Sequence, residues 1–136
     1  MKKTLAVIAP CFNEEKNIRV FYDRLTKIIK HLDVEYKIHF IDDGSEDSTW
    51  EVIKKLKTED NNINAIKFSR NFGHQSAISA GIKKAEADYV VFLDVDLQDP
   101  PELIKEMFEK IISSNSNIVY AQRNKSNENF IKKITS

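Results

Sequence analysis

The segment VVFLDVDLQDPPE, residues 90–102, places a strand-like apolar run directly before three aspartates and two prolines. The run VVFL is typical of a strand that is buried on both faces of a parallel sheet. The prolines stop this strand and favour the first turn of a helix, and Asp99 with Glu102 resembles a capping box around them. The segment therefore predicts a buried strand, a charged turn and a helix, in that order.

Similar apolar runs occur throughout the chain. Including the one above, they occupy residues 5–9, 38–41, 65–68, 89–93 and 118–121. Helical patterns, with apolar residues at spacings of three and four, lie between the runs and are clearest at residues 18–32 and 103–112. The order β-α-β-α-β-α-β-α-β predicts an α/β fold, with a mostly parallel sheet and helices on both faces.

The composition favours a single soluble domain. The chain has 136 residues, and its 21 basic and 21 acidic side chains balance, so no positive excess favours nucleic acid as a partner. The single cysteine, Cys11, excludes an internal disulfide and a cysteine zinc site, in agreement with a reducing cytoplasmic setting. The apolar stretch at residues 5–9 is shorter than the roughly 7 to 15 residues of a signal-peptide core. No segment approaches the roughly 20 apolar residues of a membrane-spanning helix.

Ligands of open parallel sheets bind beyond the carboxyl ends of the strands, near the point where the strand order reverses. In this sequence nearly every unusual polar residue follows a predicted strand. These residues occupy positions 10–14, 42–47, 69–74, 94–99 and 122–123. The sequence therefore predicts that one edge of the sheet carries the functional site.

Asp94, Asp96 and Gln98 alternate after the fourth strand, so an extended chain would point their oxygens to one side. A cation relieves two carboxylates on one face, and oxygen ligands without nearby cysteine or histidine favour a hard ion, Mg²⁺ or Mn²⁺. The alternative is a solvated loop, because an Asp-x-Asp triplet is short and common. His74 is interpreted as a polar residue at a helix start and is not assigned as a metal ligand.

Other polar residues of this edge each allow two interpretations. Asp42 and Asp43 either cap a helix, together with the glycine and serine that follow, or bind a nucleobase or ribose. Glu14 is either a favourable first-turn charge or part of the site. Arg70 and Arg123 are either surface residues or face a diphosphate with their planar guanidinium groups.

Four blocks in this order, APCFNEE, IDDGSEDST, FSRNFGHQSAISAGI and FLDVDLQDPPELI, resemble the inverting nucleotide-sugar glycosyltransferases of family two. Within that family they are similar to the branch that loads sugars onto polyprenyl phosphates, typified by dolichol-phosphate mannosyltransferase and the bactoprenol glucosyltransferases. The resemblance implies a GT-A, Rossmann-like domain for nucleotide-sugar binding over residues 1–123. It makes residues 124–136 the start of a downstream segment.

The resemblance also implies roles for residues at the first two blocks. Pro10, Phe12 and Glu14 would border the nucleotide, with Phe12 at a position where the family usually has tyrosine. Asp42 and Asp43 match the acidic pair near the base. All five residues would therefore contact the donor substrate.

At the later blocks the resemblance implies catalytic and metal-binding roles. Asp94 and Asp96 would be catalytic, with Asp94 and Val95 on the sugar and ribose side of the donor. Asp96 with Gln98 would hold Mg²⁺ or Mn²⁺. Arg123 resembles the family's arginine near the phosphates, although the two residues before it depart from the usual pattern.

The implied function is metal-dependent transfer of a sugar from a UDP- or GDP-linked donor to a polyprenyl phosphate, in cell envelope glycan biosynthesis. The acceptor elements and membrane helices of the family lie downstream of this segment. We therefore expect membrane contact only through such elements. The expected location is the cytoplasm, with the full-length protein at the cytoplasmic face of a membrane.

Three other functions compete with this interpretation. A nucleotide-sugar-binding module would keep the fold without turnover. A signalling receiver would use an acidic pair such as IDD, but receivers carry that pair after the first strand. A phosphohydrolase of the haloacid dehalogenase kind would use DVDL, but its motif belongs on the first strand.

Overall fold

The structure is a computed structural model that describes residues 1–123 and 132–135. The chain divides into two compact units, Met1–Pro101 and Glu102–Ser136. The elements of the first unit are β1 (Lys3–Cys11), α1 (Ile18–Ile29), β2 (Val34–Asp42), α2 (Thr49–Glu59), β3 (Ile63–Lys67), α3 (His74–Lys84) and β4 (Tyr89–Phe92). Those of the second unit are α4 (Leu103–Ser114), β5 (Tyr120–Arg123) and β6 (Lys132–Thr135).

The first unit contains a four-stranded parallel sheet in the order β3-β2-β1-β4. The chain adds β2 and β3 on one side of β1 and then returns to place β4 on the other side. The register sets Cys11 beside Asp42 and Ile8 beside Phe92. The strand order therefore reverses between β1 and β4, which is where such sheets bind ligands.

Helices cover both faces of this sheet, as predicted. Phe40 of β2 packs edge to face against Phe21 of α1, with ring centroids 6.1 Å apart. The next residue, Ile41, points to the opposite face, where it meets α3 at Gly81. A Cβ on Gly81 would lie only 2.4 Å from the Cγ2 atom of Ile8, so glycine allows α3 to lie close to the sheet.

The core of the first unit follows from the apolar strands. β1 and β2 are buried on both faces over most of their length, as is typical of central parallel strands. The α1 and α2 helices each contribute one buried apolar stripe, and they contact one another. Each fully buried Ile, Leu or Phe contributes roughly 1.5–3 kcal/mol to folding. This core holds the carboxyl ends of the strands in place.

The predicted fifth strand was wrong in both its bounds and its partner. The strand begins at Tyr120 rather than at residue 118, and Ile118 is 74 % exposed. β5 pairs antiparallel with β6 in a separate two-stranded sheet of the second unit. A short apolar run indicates a strand but carries no information about the sheet that the strand joins.

The last helix begins later than the prediction, which made Asp99 its N-cap residue. α4 begins at Leu103 with Glu102 as its N-cap residue, and no side chain caps it there. Asp99 lies three residues earlier, in the first unit. In the described part of the chain, no helix is long and apolar enough to cross a membrane.

Candidate active site

A cavity of about 520 Å³ opens at the carboxyl ends of β1 and β4, where the strand order reverses. It lies within the first unit. Its lining residues are Pro10, Cys11, Phe12, Glu14, Asp43, Asn71, Gly73, His74, Ala77, Asp94, Val95 and Asp96. The structure thus brings seven of the predicted site residues to one cavity: Pro10, Phe12, Glu14, Asp43, Asp94, Val95 and Asp96.

The loop after β1 is fastened to the loop after β2. The Asn13 backbone N–H donates to Ser45 Oγ at 2.8 Å, and Glu46 N–H donates to Asn13 Oδ1 at 2.9 Å. Glu14 N–H donates to Thr49 Oγ1 at 2.8 Å. Asn13 has a φ of 53°, a left-handed conformation that asparagine tolerates better than most residues. These bonds fix the backbone that presents Phe12 and Glu14 to the cavity.

Asp42 and Asp43 have different roles, and neither caps α2. Asp42 is fully buried and lies outside the cavity lining; its Oδ1 accepts the Ser45 N–H at 2.9 Å. Its Oδ2 is buried with no hydrogen-bond partner among the described residues. The Thr49 N–H, at the start of α2, donates instead to Asp47 Oδ1 at 2.9 Å.

Asp43 holds the loop between β3 and α3. Its Oδ1 accepts the N–H of Phe72 at 2.8 Å, and its two oxygens accept the N–H of Gly73 at 3.3 and 3.1 Å. Its own N–H donates to the Cys11 carbonyl at 2.8 Å. Asp43 therefore ties the ends of β1 and β2 to the start of α3 and lines the cavity at the same time.

The same loop approaches Gly44 very closely. Gly44 has a φ of +74°, and a Cβ there would lie 2.3 Å from the carbonyl carbon of Arg70 and 2.5 Å from the nitrogen of Asn71. Because both neighbours are backbone atoms, only glycine fits between the two loops.

Cys11 lines the cavity wall, but its thiol is in an environment that makes it unreactive. Its thiol is buried and donates to the Ile41 carbonyl at 3.4 Å. Burial, followed by the nearby charge of Asp42, raises the pKa of the thiol far above its usual range. Cys11 therefore packs as a small apolar residue and has no nucleophilic role.

The chain after β4 does not remain extended, which corrects the predicted alternation. The last ladder bond runs from Leu93 N–H to the Ile8 carbonyl, and a turn follows at residues 95–96. Leu97 has a φ of 63°, and the Gln98 N–H donates to Asp96 Oδ1 at 3.0 Å. The carboxylate thus folds the chain back on itself, as aspartates do in turns.

Only two of the three predicted oxygen ligands line the cavity. Asp94 and Asp96 both line the cavity, whereas Gln98 is not a lining residue. Leu97 adopts a left-handed conformation that costs an ordinary side chain roughly 1–2 kcal/mol. Strained residues of this kind cluster at functional sites.

Arg70, one of the two predicted arginine contacts, does not line the cavity. The Arg70 guanidinium lies over the Phe72 ring, 4.0 Å from its centroid, and Arg70 is exposed. Arg70 Nη1 also donates to the Asn71 carbonyl at 3.5 Å. Arg123 is the last residue of β5 in the second unit, and its side chain lies outside the described residues.

His74 is a cavity residue to which sequence reasoning gave no role. It begins α3, and its Nε2 atom lies 3.7 Å from Asp94 Oδ1. The two side chains are about half exposed, at 54 % and 49 %. The signal in the sequence was the strand-loop-helix order, which places the start of α3 at the same edge as the end of β4.

The residues at the end of β4 fit a hard cation that shares its ligands with a substrate. Asp94 and Asp96 supply carboxylate oxygens, and Mg²⁺ is usually held by one or two carboxylates together with water and phosphate oxygens. In residues 1–123 and 132–135, no group of three His, Cys, Asp or Glu side chains is arranged to hold an ion by itself. The donor set therefore suits an ion that binds together with a phosphate ligand.

A second cavity, of about 410 Å³, lies at the opposite edge of the sheet. It is lined by the first residues of β1 and β2, among them Thr4 and Tyr36. None of the predicted site residues borders it. Its residues therefore provide an internal control for the location of ligand binding.

Comparisons with known proteins agree with this geometry. The model of the family "Glycosyl transferase family 2" matches residues 6–135. Uncharacterized glycosyltransferase YkcC of Bacillus subtilis (strain 168) is 42 % identical over 132 residues, which cover 96 % of this chain and 41 % of that protein. Bactoprenol glucosyl transferase of Shigella phage SfV is 35 % identical over 132 residues, 97 % of this chain and 43 % of that protein.

The fold is also that of solved glycosyltransferases. The crystal structure of S. aureus TarS 1–349 in complex with UDP superposes with a TM-score of 0.73 at 26 % identity, over 98 % of this chain and 38 % of that one. The α/β fold is therefore the expected GT-A fold. The chain spans about two fifths of the length of the curated relatives it matches. Because the family model matches almost the whole chain, this protein belongs to glycosyl transferase family 2.

Proposed function

We propose that this chain is the donor-binding part of a metal-dependent inverting glycosyltransferase that moves a sugar from a UDP- or GDP-linked donor to a polyprenyl phosphate. The observation that carries the proposal is the acidic cavity at the strand-order reversal, which gathers residues from all four sequence blocks. Family membership supports the reaction class, and similarity to a bactoprenol glucosyl transferase supports the acceptor class.

The nucleotide would occupy the β1 side of the cavity. Pro10 and the ring of Phe12, which is 43 % exposed, offer an apolar surface for a base and ribose. Glu14 is held by the Asn17 amide, whose Nδ2 donates to Glu14 Oε2 at 2.7 Å. Asp43 would shape the base pocket through the loop it fixes, and Asp42 would support Asp43 from below the cavity.

The sugar and diphosphate would lie against the end of β4. Asp94 and Val95 would contact the sugar and ribose, and Asp94 would orient the anomeric carbon. We assign Arg70 and Arg123 to the diphosphate on the basis of their guanidinium chemistry alone. For Arg70 this requires the side chain to leave its stack on Phe72.

Asp96, assisted by Gln98, would hold the Mg²⁺ or Mn²⁺ ion. When bound, the ion supplies Lewis-acid neutralisation of the charge on the departing diphosphate. The Gln98 N–H donates to one carboxylate oxygen of Asp96, which leaves the other oxygen to bind the ion. Asp96 and Gln98 would therefore act in binding the donor, before the sugar is transferred.

Transfer to a phosphate acceptor requires few catalytic groups from the protein. An acceptor phosphate oxygen forms a bond to the anomeric carbon of the donor sugar, on the face opposite the departing diphosphate. The bond from that carbon to the diphosphate oxygen breaks, and its electron pair stays on the diphosphate. Because the acceptor is already an anion, no strong general base is needed. The side chains of the cavity then bind, orient and exclude water.

We assign the donor domain to residues 1–123 and the start of a downstream segment to residues 124–136. The full-length protein would act at the cytoplasmic face of a membrane, because its acceptor is a membrane lipid. Since the chain covers about two fifths of its relatives, donor binding without turnover is the second candidate for this chain alone.

Calorimetric titration tests the proposal. The chain is titrated with UDP and with GDP, each with and without Mn²⁺. We expect metal-dependent binding of one nucleotide, and we expect Asp96→Asn to remove the metal dependence. Asp33→Asn is the matched control, because Asp33 is 88 % exposed and pairs only with Lys2 at 3.2 Å among the ion pairs found in the described residues. A folded chain that binds neither nucleotide would contradict the proposal.

A further inference from the structure

We propose that His74 is a positioning residue for Asp94, and that it sets the orientation in which this carboxylate receives the donor sugar. The inference rests on the proposed function and names a residue to which the sequence motifs assigned no role. His74 Nε2 and Asp94 Oδ1 face each other at 3.7 Å across the cavity. The imidazole is the partner that the structure gives to the Asp94 carboxylate.

The position of His74 is set by the backbone rather than by its own side chain. Gly73, the N-cap residue of α3, has a φ of 103°, which turns the chain sharply into the helix. Both oxygens of Asp43 hold the Gly73 N–H. The His74 side chain is thereby directed toward the end of β4. The Asp43 carboxylate of the β2 end thus places the imidazole of His74 beside the Asp94 carboxylate of the β4 end.

The residues that line the cavity explain why an N–H donor beside Asp94 is useful. Among the described lining residues the carboxylates are Glu14, Asp43, Asp94 and Asp96, and His74 is the one basic side chain. The Gln98 N–H donates to Asp96 and not to Asp94. When the His74–Asp94 pair closes, an N–H from His74 fixes one Asp94 oxygen and leaves the other for a sugar hydroxyl.

A separation of 3.7 Å is beyond a direct hydrogen bond. Contacts in an active site often tighten only when the substrate is bound. We therefore expect the pair to close when a nucleotide sugar is present and to contribute little in its absence. This dependence on the sugar distinguishes a positioning role from a structural role at the start of α3.

A double-mutant cycle tests the inference. Binding of UDP-glucose, UDP-N-acetylglucosamine and GDP-mannose, with Mn²⁺ present, is measured for the wild-type chain, His74→Ala, Asp94→Asn and the double variant. We expect His74→Ala to weaken binding of the accepted nucleotide sugar by about fivefold, as for the loss of one ordinary hydrogen bond. In the Asp94→Asn background the same change has no further effect. Binding of the matching nucleoside diphosphate stays unchanged.

Two controls keep the test decisive. His74→Gln places an amide N–H at a similar position, so we expect it to bind the nucleotide sugar nearly as tightly as the wild-type chain. If Asp94→Asn abolishes binding, the comparison of His74→Gln with His74→Ala replaces the double-mutant cycle. His31→Ala removes an exposed histidine outside the cavity lining and leaves binding unchanged.

Additive effects in the cycle would overturn the inference while the proposed function stands. So would equal losses for the sugar nucleotide and the free nucleotide, or a glutamine variant as weak as alanine. Failure of the wild-type chain to bind any of the nucleotides would overturn the proposed function and this inference together.

Discussion

Asp43 at the end of β2 and Gly73 before α3 are joined by two hydrogen bonds, in which the Gly73 N–H donates to the carboxylate oxygens at 3.1 and 3.3 Å. The two residues are 30 positions apart in the chain. Their contact forms one wall of the cavity, because it determines where the loop at residues 71–73 ends and α3 begins. An acidic residue that resembles a ligand contact is therefore also a structural support.

Replacing Asp43 tests this support. Asp43→Ala leaves the N–H groups of Phe72 and Gly73 without acceptors, and such losses typically cost about 1–3 kcal/mol each. We expect a decrease of that order in the free energy of unfolding, measured by urea denaturation. Asp33→Ala, at an exposed position, should change it by less than about 0.5 kcal/mol. Equal stability of the two variants would show that Asp43 does not hold the loop.

The two glycines with positive φ offer a matched pair. A Cβ on Gly44 would lie 2.3 Å from the Arg70 backbone, whereas one on Gly73 would meet nothing within 4 Å. An alanine with positive φ at Gly44 costs roughly 1–2 kcal/mol of backbone strain. At Gly73, whose φ of 103° and ψ of 157° are adopted almost only by glycine, the strain is roughly 1–3 kcal/mol. Gly44→Ala must also separate two loops, so we expect it to lower the midpoint of thermal unfolding clearly more than Gly73→Ala. A larger effect at Gly73 would contradict the observed approach of the loops.

Cys11 should resist thiol reagents in the folded protein. Burial raises the pKa of its thiol, so little of the reactive thiolate forms, and the side chain is also inaccessible. We expect no reaction with a chromogenic disulfide at pH 8 under native conditions and one equivalent of reaction in denaturant. Rapid modification of the native chain would show that this wall of the cavity opens.

His39 should make the fold sensitive to mild acid. It is buried in β2, its Nδ1 has no partner among the described residues, and burial followed by the charge of Lys37 lowers its pKa. Above the unfolded value of about 6.5 both states are neutral and stability is complete. As the pH falls through 6.5, the unfolded chain binds the proton first, so the free energy of unfolding decreases until the lowered pKa is passed.

Urea denaturation between pH 7.5 and 5 measures this effect. We expect His39→Gln to flatten the pH dependence, whereas His31→Gln, at an exposed position, should leave it unchanged. A wild-type curve that is flat over this range would contradict the assignment.

The sequence was sufficient to predict the parallel sheet. The apolar run at residues 5–9 lies within β1, and residues 38–41 lie within β2, because buried central strands leave continuous apolar segments. The edge of the sheet that carries the cavity followed from the topology alone. The last strand was misassigned because residues 118–121 are short and the sheet partner depends on contacts distant in sequence.

Details of the site depended on conformations that local sequence does not specify. The prediction that Asp94, Asp96 and Gln98 point to one side required an extended chain. Instead the Gln98 N–H turns back to Asp96, and Leu97 takes a positive φ that its side chain disfavours. The pairing of His74 with Asp94 requires β4 to lie beside β1, which is a property of the strand order. Periodicity cannot supply that order.

Paramagnetic broadening of backbone amide signals in the NMR spectrum of the chain tests most directly whether this cavity is the donor site. It locates the position at which Mn²⁺ and the nucleotide bind. We expect the backbone amide signals of residues 11–14, 71–74 and 94–98 to broaden in the presence of Mn²⁺ and the accepted nucleotide. The signals of Thr4 and Tyr36, at the opposite cavity, should remain sharp, and Asp96→Asn should abolish the pattern. Broadening centred on Thr4 and Tyr36, or none at all in a folded chain, would contradict the assignment of this cavity as the donor site.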